Sequence, residues 1–285
     1  MRAVLGIDAA WTVAQPSGVA LLVEGRRRWR CAGVAPSYAA FLGLAAGEPV
    51  DWERRAGPGS SPPVAALLAA ARALAPGCDV AVAAVDMPLA ARAIEARRPC
   101  DDALSRRFAW YGLGVHSPSP ERPGRVSVAL RRGFARAGFR LATTRKLDGA
   151  RHLLEVYPHT ALLALLDLDY RLPYKLARAR RYWPAASRDE RRARLLAAWS
   201  RILRALRRKL AGAALALPPA AAPTSRLKRF EDALDALLCA WTGVEFLAGR
   251  AAALGDATAA IWSPELPEVA PVLRRASPSP SRPRT

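Results

Sequence analysis

Short apolar runs, several of which end in an acidic or turn-forming residue, mark the strands that this sequence predicts. The run at 79–86 has no polar face, which is typical of a strand covered by helices on both sides. A tight hairpin at Glu24-Gly25-Arg26 would join the second strand to the third. The predicted strands are residues 3–8, 18–24, 27–34, 79–86, 152–157 and 258–262.

Helical spacing of apolar residues separates the later strands. Stretches rich in Gly, Pro or Ser at 47–62, 115–124 and 217–225 interrupt the pattern and are predicted loops or linkers. The predicted helices are residues 63–75, 100–111, 126–138, 159–167 and 226–248, together with a basic helical section within 171–210. Because the early strands are joined tightly and the later ones alternate with helices, this order predicts a mixed sheet with helices on both faces.

The pattern indicates one α/β domain over residues 1–270. Within it, residues 171–225 are predicted to form a basic helical insertion followed by a linker. Residues 271–285 are rich in Ser, Pro and Arg and are predicted to be a disordered tail.

Composition narrows the class of protein. The chain has 285 residues, of which 52% are hydrophobic, so it can bury a substantial core. No apolar run approaches the roughly 18 uncharged residues of a membrane-spanning helix, and residues 1–8 lack the pattern of a signal peptide. The 4 cysteines have no paired spacing. We therefore expect reduced thiols and a cytoplasmic protein.

The formal net charge of +20 favours polyanionic partners such as nucleic acid. A compositional bias toward Ala and Arg would produce the same charge without any such partner. The most basic section contains an amphipathic helix with five arginines on its polar side, Arg194, Arg201, Arg204, Arg207 and Arg208. That side suits a solvated surface or a nucleic acid, and suits an anionic membrane surface less well.

Two acids follow apolar strands directly. Asp8 ends the first predicted strand and Asp86 ends the fourth. Acids at the carboxyl ends of neighbouring strands would stand close together, and their repulsion would favour a hard divalent cation such as Mg²⁺ or Mn²⁺ between them. The alternative for each is a turn or a helix cap, and Asp86-Met87-Pro88 fits a turn well.

Further acids lie on the helix at 226–248 and on the strand at 152–157. On the helix, Asp235 lies beside the apolar stripe, whereas Asp232 points nearly away from it, as a solvent-facing residue would. Helix geometry therefore favours Asp235 as the acid that faces inward. Glu155 lies on the face opposite Leu154 and Val156, where it is either solvated or directed at a site.

Five segments in this order resemble the DUF429 family, a domain of unknown function whose members are predicted nucleases of the ribonuclease H fold. The segments are GIDAAWTVAQPSGVAL (6–21), AVDMPL (84–89), RRPCDDALSRRFAWYGLGVHSPSPERPG (97–124), LLEVYPHTALLALL (153–166) and KRFEDALDALLCAW (228–241). The resemblance implies a ribonuclease H-like fold and, as an expectation, metal-dependent hydrolysis of nucleic acid.

The resemblance also implies roles for particular acids. The DALDA sequence at 232–236 is similar to the last motif of Holliday-junction resolvases, in which a helix carries two acids that serve the metals. On that basis Asp8, Asp86, Asp235 and Asp232 are candidate ligands of Mg²⁺ or Mn²⁺. Glu155 falls on the EVYP-type motif of the family and, with Asp8, Asp86 and Asp235, is a candidate catalytic residue.

Three functions remain open from the sequence. The first is a metal-dependent nuclease or other phosphodiesterase that acts on DNA or RNA. The second is an ATPase of the actin-like superfamily, although Asp8 is followed by Ala9, Ala10 and Trp11 rather than by the glycines of a phosphate loop. The third is a module of the same fold that binds nucleic acid without catalysis.

Overall fold

A computed structural model describes residues 1–53, 57–145, 151–213 and 215–266. Its eight strands form one sheet in the order β3-β2-β1-β4-β6-β8-β7, and β5 pairs with β6 beside this path. The strands are β1 (Arg2–Asp8), β2 (Gly18–Val23), β3 (Arg30–Ala35), β4 (Asp79–Val85), β5 (Phe139–Leu141), β6 (Arg151–Val156), β7 (Ala251–Gly255) and β8 (Ala260–Pro264). The predicted tail at 271–285 lies outside the described residues.

Strand direction places several carboxyl ends at one edge of the sheet. Strands β1, β2 and β3 are antiparallel neighbours, as the sequence predicts, whereas β1, β4, β6 and β8 run parallel to one another. The connection from β2 to β3 is longer than the predicted tight hairpin, because β3 begins only at Arg30. Parallel strands that end together form a crevice at their carboxyl ends, where open α/β sheets bind ligands.

Helices cover both faces of the sheet. One face packs against α1 (Tyr38–Ala45), α2 (Val64–Leu74) and α4 (Arg125–Arg136). The other packs against α5 (Pro158–Leu166), α7 (Arg188–Lys209) and α8 (Thr224–Leu247). The remaining helices are α3 (Pro99–Phe108), the short α6 (Ala179–Tyr182) and two 3₁₀ turns, Ala109–Tyr111 and Leu176–Arg178. Of the elements named here, α1, β5 and β7 are not in the sequence prediction.

The predicted basic insertion at 171–225 shares the main core. Trp199 of α7 is fully buried, and its ring lies 5.0 Å from that of Phe230 on α8. The arginines of the same helix lie outside, with Arg201, Arg204 and Arg208 exposed. The apolar side of α7 therefore completes the helical layer over α8, and its charge lies on the outer surface.

Two glycines allow α8 to lie directly on the sheet. A Cβ atom on Gly6 of β1 would lie 2.2 Å from the carbonyl oxygen of Ala236, and one on Gly18 of β2 would lie 2.1 Å from that of Asp232. Both distances are shorter than real Cβ contacts, so only glycine permits this approach. The acidic turn of α8 is thereby brought beside the end of β1. In the described part of the chain, no helix is long and apolar enough to cross a membrane.

Candidate functional site

Asp8 and Asp86 lie side by side at the carboxyl edge of the sheet. Ile7 of β1 pairs with Val85 of β4, and the Asp86 N–H donates a 2.9 Å hydrogen bond to the Ile7 carbonyl oxygen. The two aspartates are the next residues in this register. Since adjacent strands lie about 4.8 Å apart and side chains alternate, both carboxylates project from the same face. That face is the one on which α8 packs.

Both aspartates line a cavity of about 470 Å³ at this edge. Its wall also includes the loop after β4, the segment around His116, the end of β6, and residues 174–178. Charged side chains of both signs line it, namely Asp8, Asp86, Glu155, Glu231, Arg98, Asp101, Arg122, Lys175, Arg178 and Lys228. The cavity is therefore the concave, polar site that the strand ends predict.

The carboxylates of Asp8 and Asp86 are costly to ionise where they lie. Among the described residues, no hydrogen bond or ion pair involves either side chain. Burial raises the pKa of Asp8 well above its ordinary value, and the charge of Asp235 raises it further. Burial also raises the pKa of Asp86 to about 7, against the opposing effect of the Lys175 ammonium group. A cation between them would remove this cost.

The acids of α8 differ, because each of them already has a partner. Asp235 is fully buried, and its Oδ1 accepts a 2.8 Å hydrogen bond from the Tyr174 hydroxyl while its Oδ2 is bonded to the Lys175 ammonium group. The carboxylate of Glu231 accepts a 2.5 Å hydrogen bond from the Leu176 N–H. A metal ion on Asp235 or Asp232 would have to share the carboxylate with a lysine ammonium group, whose positive charge opposes it.

Asp232 corrects one expectation from the sequence. It is buried rather than solvent-facing, and its Oδ1 is bonded to the ammonium group of Lys228 one turn earlier. Burial raises its pKa, while Lys228 lowers it. The helical wheel identified the side of α8 that faces the sheet. It could not show that the side of this turn that carries Asp232 is buried as well.

Lys175 is the functional candidate that sequence reasoning missed. It lies in the cavity wall and precedes Asp235 by 60 residues. Burial by itself would lower its pKa, but Asp235 and the other acidic groups around the lysine together outweigh burial, and the pKa lies well above its ordinary value. Lys175 is therefore charged. Its position in a strongly basic section gave no local signal that distinguished it from the surface cations around it.

Glu155 lies at the same edge of the sheet but belongs to the opposite face. It pairs with Val85 in the β4–β6 register, so it is out of phase with Asp86. The guanidinium group of Arg98 binds both of its oxygens, at 2.6 and 2.7 Å, and the Leu89 N–H donates a further 2.7 Å hydrogen bond. The solvated alternative is therefore wrong. These contacts indicate that Glu155 anchors the loop after β4 rather than a metal ion.

Aromatic and cationic side chains form the rim of the cavity. The Arg122 guanidinium group lies 5.7 Å from the centre of the Trp11 ring, and the ring of His116 contacts Trp11 edge-on at 6.5 Å. The Arg178 guanidinium group lies 3.1 Å from Nε2 of His116. We refer to Trp11, His116, Arg122 and Arg178 as the cationic rim. Such a rim attracts anions toward the carboxylates below it.

A divalent ion such as Mg²⁺ or Mn²⁺ needs several oxygen ligands close together. Within the described ranges, no group of three or more His, Cys, Asp or Glu side chains is arranged as a complete metal site. The two uncommitted carboxylates of Asp8 and Asp86 nevertheless supply oxygen donors of the kind that Mg²⁺ and Mn²⁺ prefer. Their lack of protein partners and their raised pKa values fit one such ion between them.

The fold and site together define an α/β protein with a mixed sheet and a cavity, lined by acidic and basic side chains, at the carboxyl ends of its parallel strands. The chain belongs to the DUF429 family, described as a protein of unknown function, whose model matches residues 6–259. The family prediction from the sequence motifs is thereby confirmed. Comparison with curated proteins and with solved structures found no match.

Proposed function

We propose that this protein is a metal-dependent nuclease or related phosphodiesterase of ribonuclease H-like fold. One observation carries the proposal: Asp8 and Asp86 are adjacent, half-buried carboxylates without protein partners, beneath a cationic rim. A site that only stabilised the fold would pair such acids, as this protein does for the acids of α8.

The chemistry follows from what each group can hold. Asp8 and Asp86 would bind a Mg²⁺ or Mn²⁺ ion, which when bound supplies Lewis acidity and makes a nearby water more acidic. The ammonium group of Lys175 lies in the same cavity and can hold an anionic phosphate oxygen. Arg122 and Arg178 on the rim would attract the phosphate backbone of DNA or RNA.

The ribonuclease H-like assignment and the nuclease activity support each other. Three antiparallel strands lead into parallel strands that alternate with helices, and acids follow β1 and β4. The actin-like alternative is weaker, because Gly18 lies in β2 beneath the carbonyl of Asp232 and has no room to cradle a phosphate. A module that only binds nucleic acid would have no use for two unpaired, half-buried carboxylates.

Substitution of the strand-end acids tests the proposal. We expect Asp8→Asn and Asp86→Asn each to abolish Mn²⁺-dependent cleavage of DNA or RNA. Mn²⁺ should raise the unfolding temperature of the wild type and have much less effect on the two variants, because Asn lacks the charge that holds the ion. In EDTA the variants should be no less stable than the wild type, since one of two crowded like charges is gone.

Asp79→Asn is the matched control, because Asp79 is exposed at the other end of β4. It should behave as the wild type in both assays. An equal effect of Mn²⁺ on all four proteins, or no effect on any of them, would contradict the metal site. Cleavage retained by Asp8→Asn or Asp86→Asn would contradict the catalytic role of that acid.

A further inference from the structure

The ammonium group of Lys175 lies where the acids of β1, β4 and α8 meet. Its Nζ is bonded to Oδ2 of Asp235, and the charges of Glu231 and Asp8 also act on it. Only 22% of its side chain is exposed, and it lies in the wall of the cavity that Asp8 and Asp86 line. Lys175 is therefore directed into the site rather than toward bulk solvent.

Hydrogen bonds made by the two neighbouring residues hold Lys175 in this position. The hydroxyl of the preceding Tyr174 donates to Asp235, and the N–H of the following Leu176 donates to Glu231. The Tyr174 carbonyl accepts a 2.8 Å hydrogen bond from the indole N–H of Trp199 on α7. Three consecutive residues are thus fixed to two helices, which leaves the lysine side chain little freedom to withdraw.

Lys228 provides a comparison within the same acidic cluster. Its ammonium group is bonded to Asp232, but 52% of its side chain is exposed. The Asp232 carboxylate lies one turn before that of Asp235, whose own exposure is 0%. Both lysines line the cavity, but Lys228 is the more exposed partner of the α8 acids and Lys175 the more buried one.

We propose that Lys175 takes the place of a second cation, so that the site binds one divalent ion, held by Asp8 and Asp86, with the lysine ammonium group beside it. The inference rests on the proposed function. Oδ1 of Asp235 accepts from Tyr174 and its Oδ2 is bonded to Lys175, so the place of a second ion beside this carboxylate is taken by the lysine ammonium group. A second divalent ion at Asp235 would also meet the positive charge of Lys175 at close range.

Titration calorimetry with Mn²⁺ alone tests the inference without any substrate. The wild type should take up one Mn²⁺ per chain. Lys175→Met should take up two, because it frees Asp235 to act as a ligand. Lys228→Met should still take up one, since it removes an ammonium group of equal charge from the outer side of the cluster.

Asp235→Asn keeps the result interpretable if Lys175→Met does not fold, because Asn is nearly the same shape as Asp. It should still take up one Mn²⁺, but more weakly than the wild type, because the Lys175 ammonium group loses its partner and its charge then opposes the ion at Asp8. Loss of Mn²⁺ binding in Asp235→Asn that is not restored by adding Lys175→Met would show that Asp235 is a ligand and would overturn the inference.

The other outcomes separate this inference from the proposed function. Two Mn²⁺ ions in the wild type would refute the role of Lys175 and leave a metal-dependent nuclease standing. One ion in folded Lys175→Met would likewise refute it. No Mn²⁺ binding in the wild type would overturn the inference together with the metal on which the proposed function depends.

Discussion

Burial raises the pKa of an acid but lowers that of a histidine, because it disfavours the charged form of each. His152 of β6 shows this effect outside the cavity that Asp8 and Asp86 line. Its ring packs edge-on against Phe246 at 5.3 Å, and its Nδ1 has no hydrogen-bond partner among the described residues. Burial lowers the pKa of His152 because the charged imidazolium loses its hydration. The folded protein therefore binds a proton there less readily than the unfolded chain does.

A pH dependence of stability follows for His152. Above the ordinary histidine pKa of about 6.5, both states are neutral and the residue contributes nothing. As the pH falls below that value, the unfolded chain takes up the proton first, so stability is lost. The wild type should therefore lose stability relative to His152→Gln as the pH falls from 7 to 5. The difference between their free energies of unfolding (variant minus wild type) should be constant between pH 7 and 8 and should increase below that range. Urea unfolding at each pH measures it, and a constant difference throughout would contradict the prediction.

Residues also show what the sequence could and could not predict about the site. Asp8 and Asp86 were predictable as a pair, because an acid that follows an apolar strand marks the edge of a sheet. Lys175 was not, because its partner Asp235 is 60 residues away and only the packing of α7 and α8 brings them together. The burial of Asp232 was missed for the same reason, since a helical wheel describes one element without its neighbours.

Among the elements, α8 depends most closely on its contact with the sheet. A Cβ atom on Gly6 would lie 2.2 Å from the Ala236 carbonyl oxygen and 2.4 Å from the Ala240 nitrogen, both of them backbone atoms of α8. A Cβ atom on Gly243 of α8 would likewise lie 2.5 Å from the side chain of Val4 and 3.1 Å from that of Val82. The helix that carries Asp232 and Asp235 is therefore positioned by glycines in the strand and in the helix itself.

Gly6→Ala is expected to destabilise the protein by about 1–3 kcal/mol, because backbone atoms of α8 would have to move to admit the methyl group. Gly57→Ala is the control, since a Cβ atom there meets nothing within 4 Å, and it should change stability by no more than about 0.5 kcal/mol. Denaturant midpoints measure both effects. Equal midpoints for the two variants would show that α8 does not rest on β1 as closely as the structure indicates.

The elements that the sequence did not predict are short or rich in alanine. Strand β5 has three residues and β7 reads AAALG, so neither is long or varied enough to show alternation. Helix α1 reads YAAFLGLA, in which Ala and Gly dilute the apolar stripe. The longer elements were predictable because β4 is a continuous apolar run, and because α7 and α8 carry enough large apolar residues to reveal the helical period.

Across the whole molecule, the net charge of +20 is divided between surfaces that lie at different ends of the sheet. Ala211, two residues after α7, accepts a hydrogen bond from the Cys31 N–H and donates one to the Trp29 carbonyl, each at 2.8 Å. These residues begin β3, which is parallel to β1 because both are antiparallel to β2. The basic carboxyl end of α7 therefore lies where β1 begins, about 20 Å from its end at Asp8.

This separation of charge predicts which arginines a nucleic acid contacts. If the substrate lies over the cavity that Asp8 and Asp86 line, its phosphates contact Arg122 and Arg178 on the cationic rim. Arg122→Gln and Arg178→Gln should then each reduce the slope of the logarithm of the binding constant against the logarithm of the salt concentration by about 0.7–0.9, since each removes one phosphate contact. Arg204→Gln and Arg208→Gln on the exposed side of α7 remove the same charge at a distance from the cavity and should leave the slope unchanged. Binding of labelled DNA and RNA in EDTA, measured by fluorescence anisotropy between about 50 and 200 mM salt, compares the four variants without cleavage. A reduced slope for the α7 variants alone would show that the nucleic acid binds the basic helix rather than the site of Asp8 and Asp86. Equal reductions in all four variants would show that the charge acts only as a diffuse field.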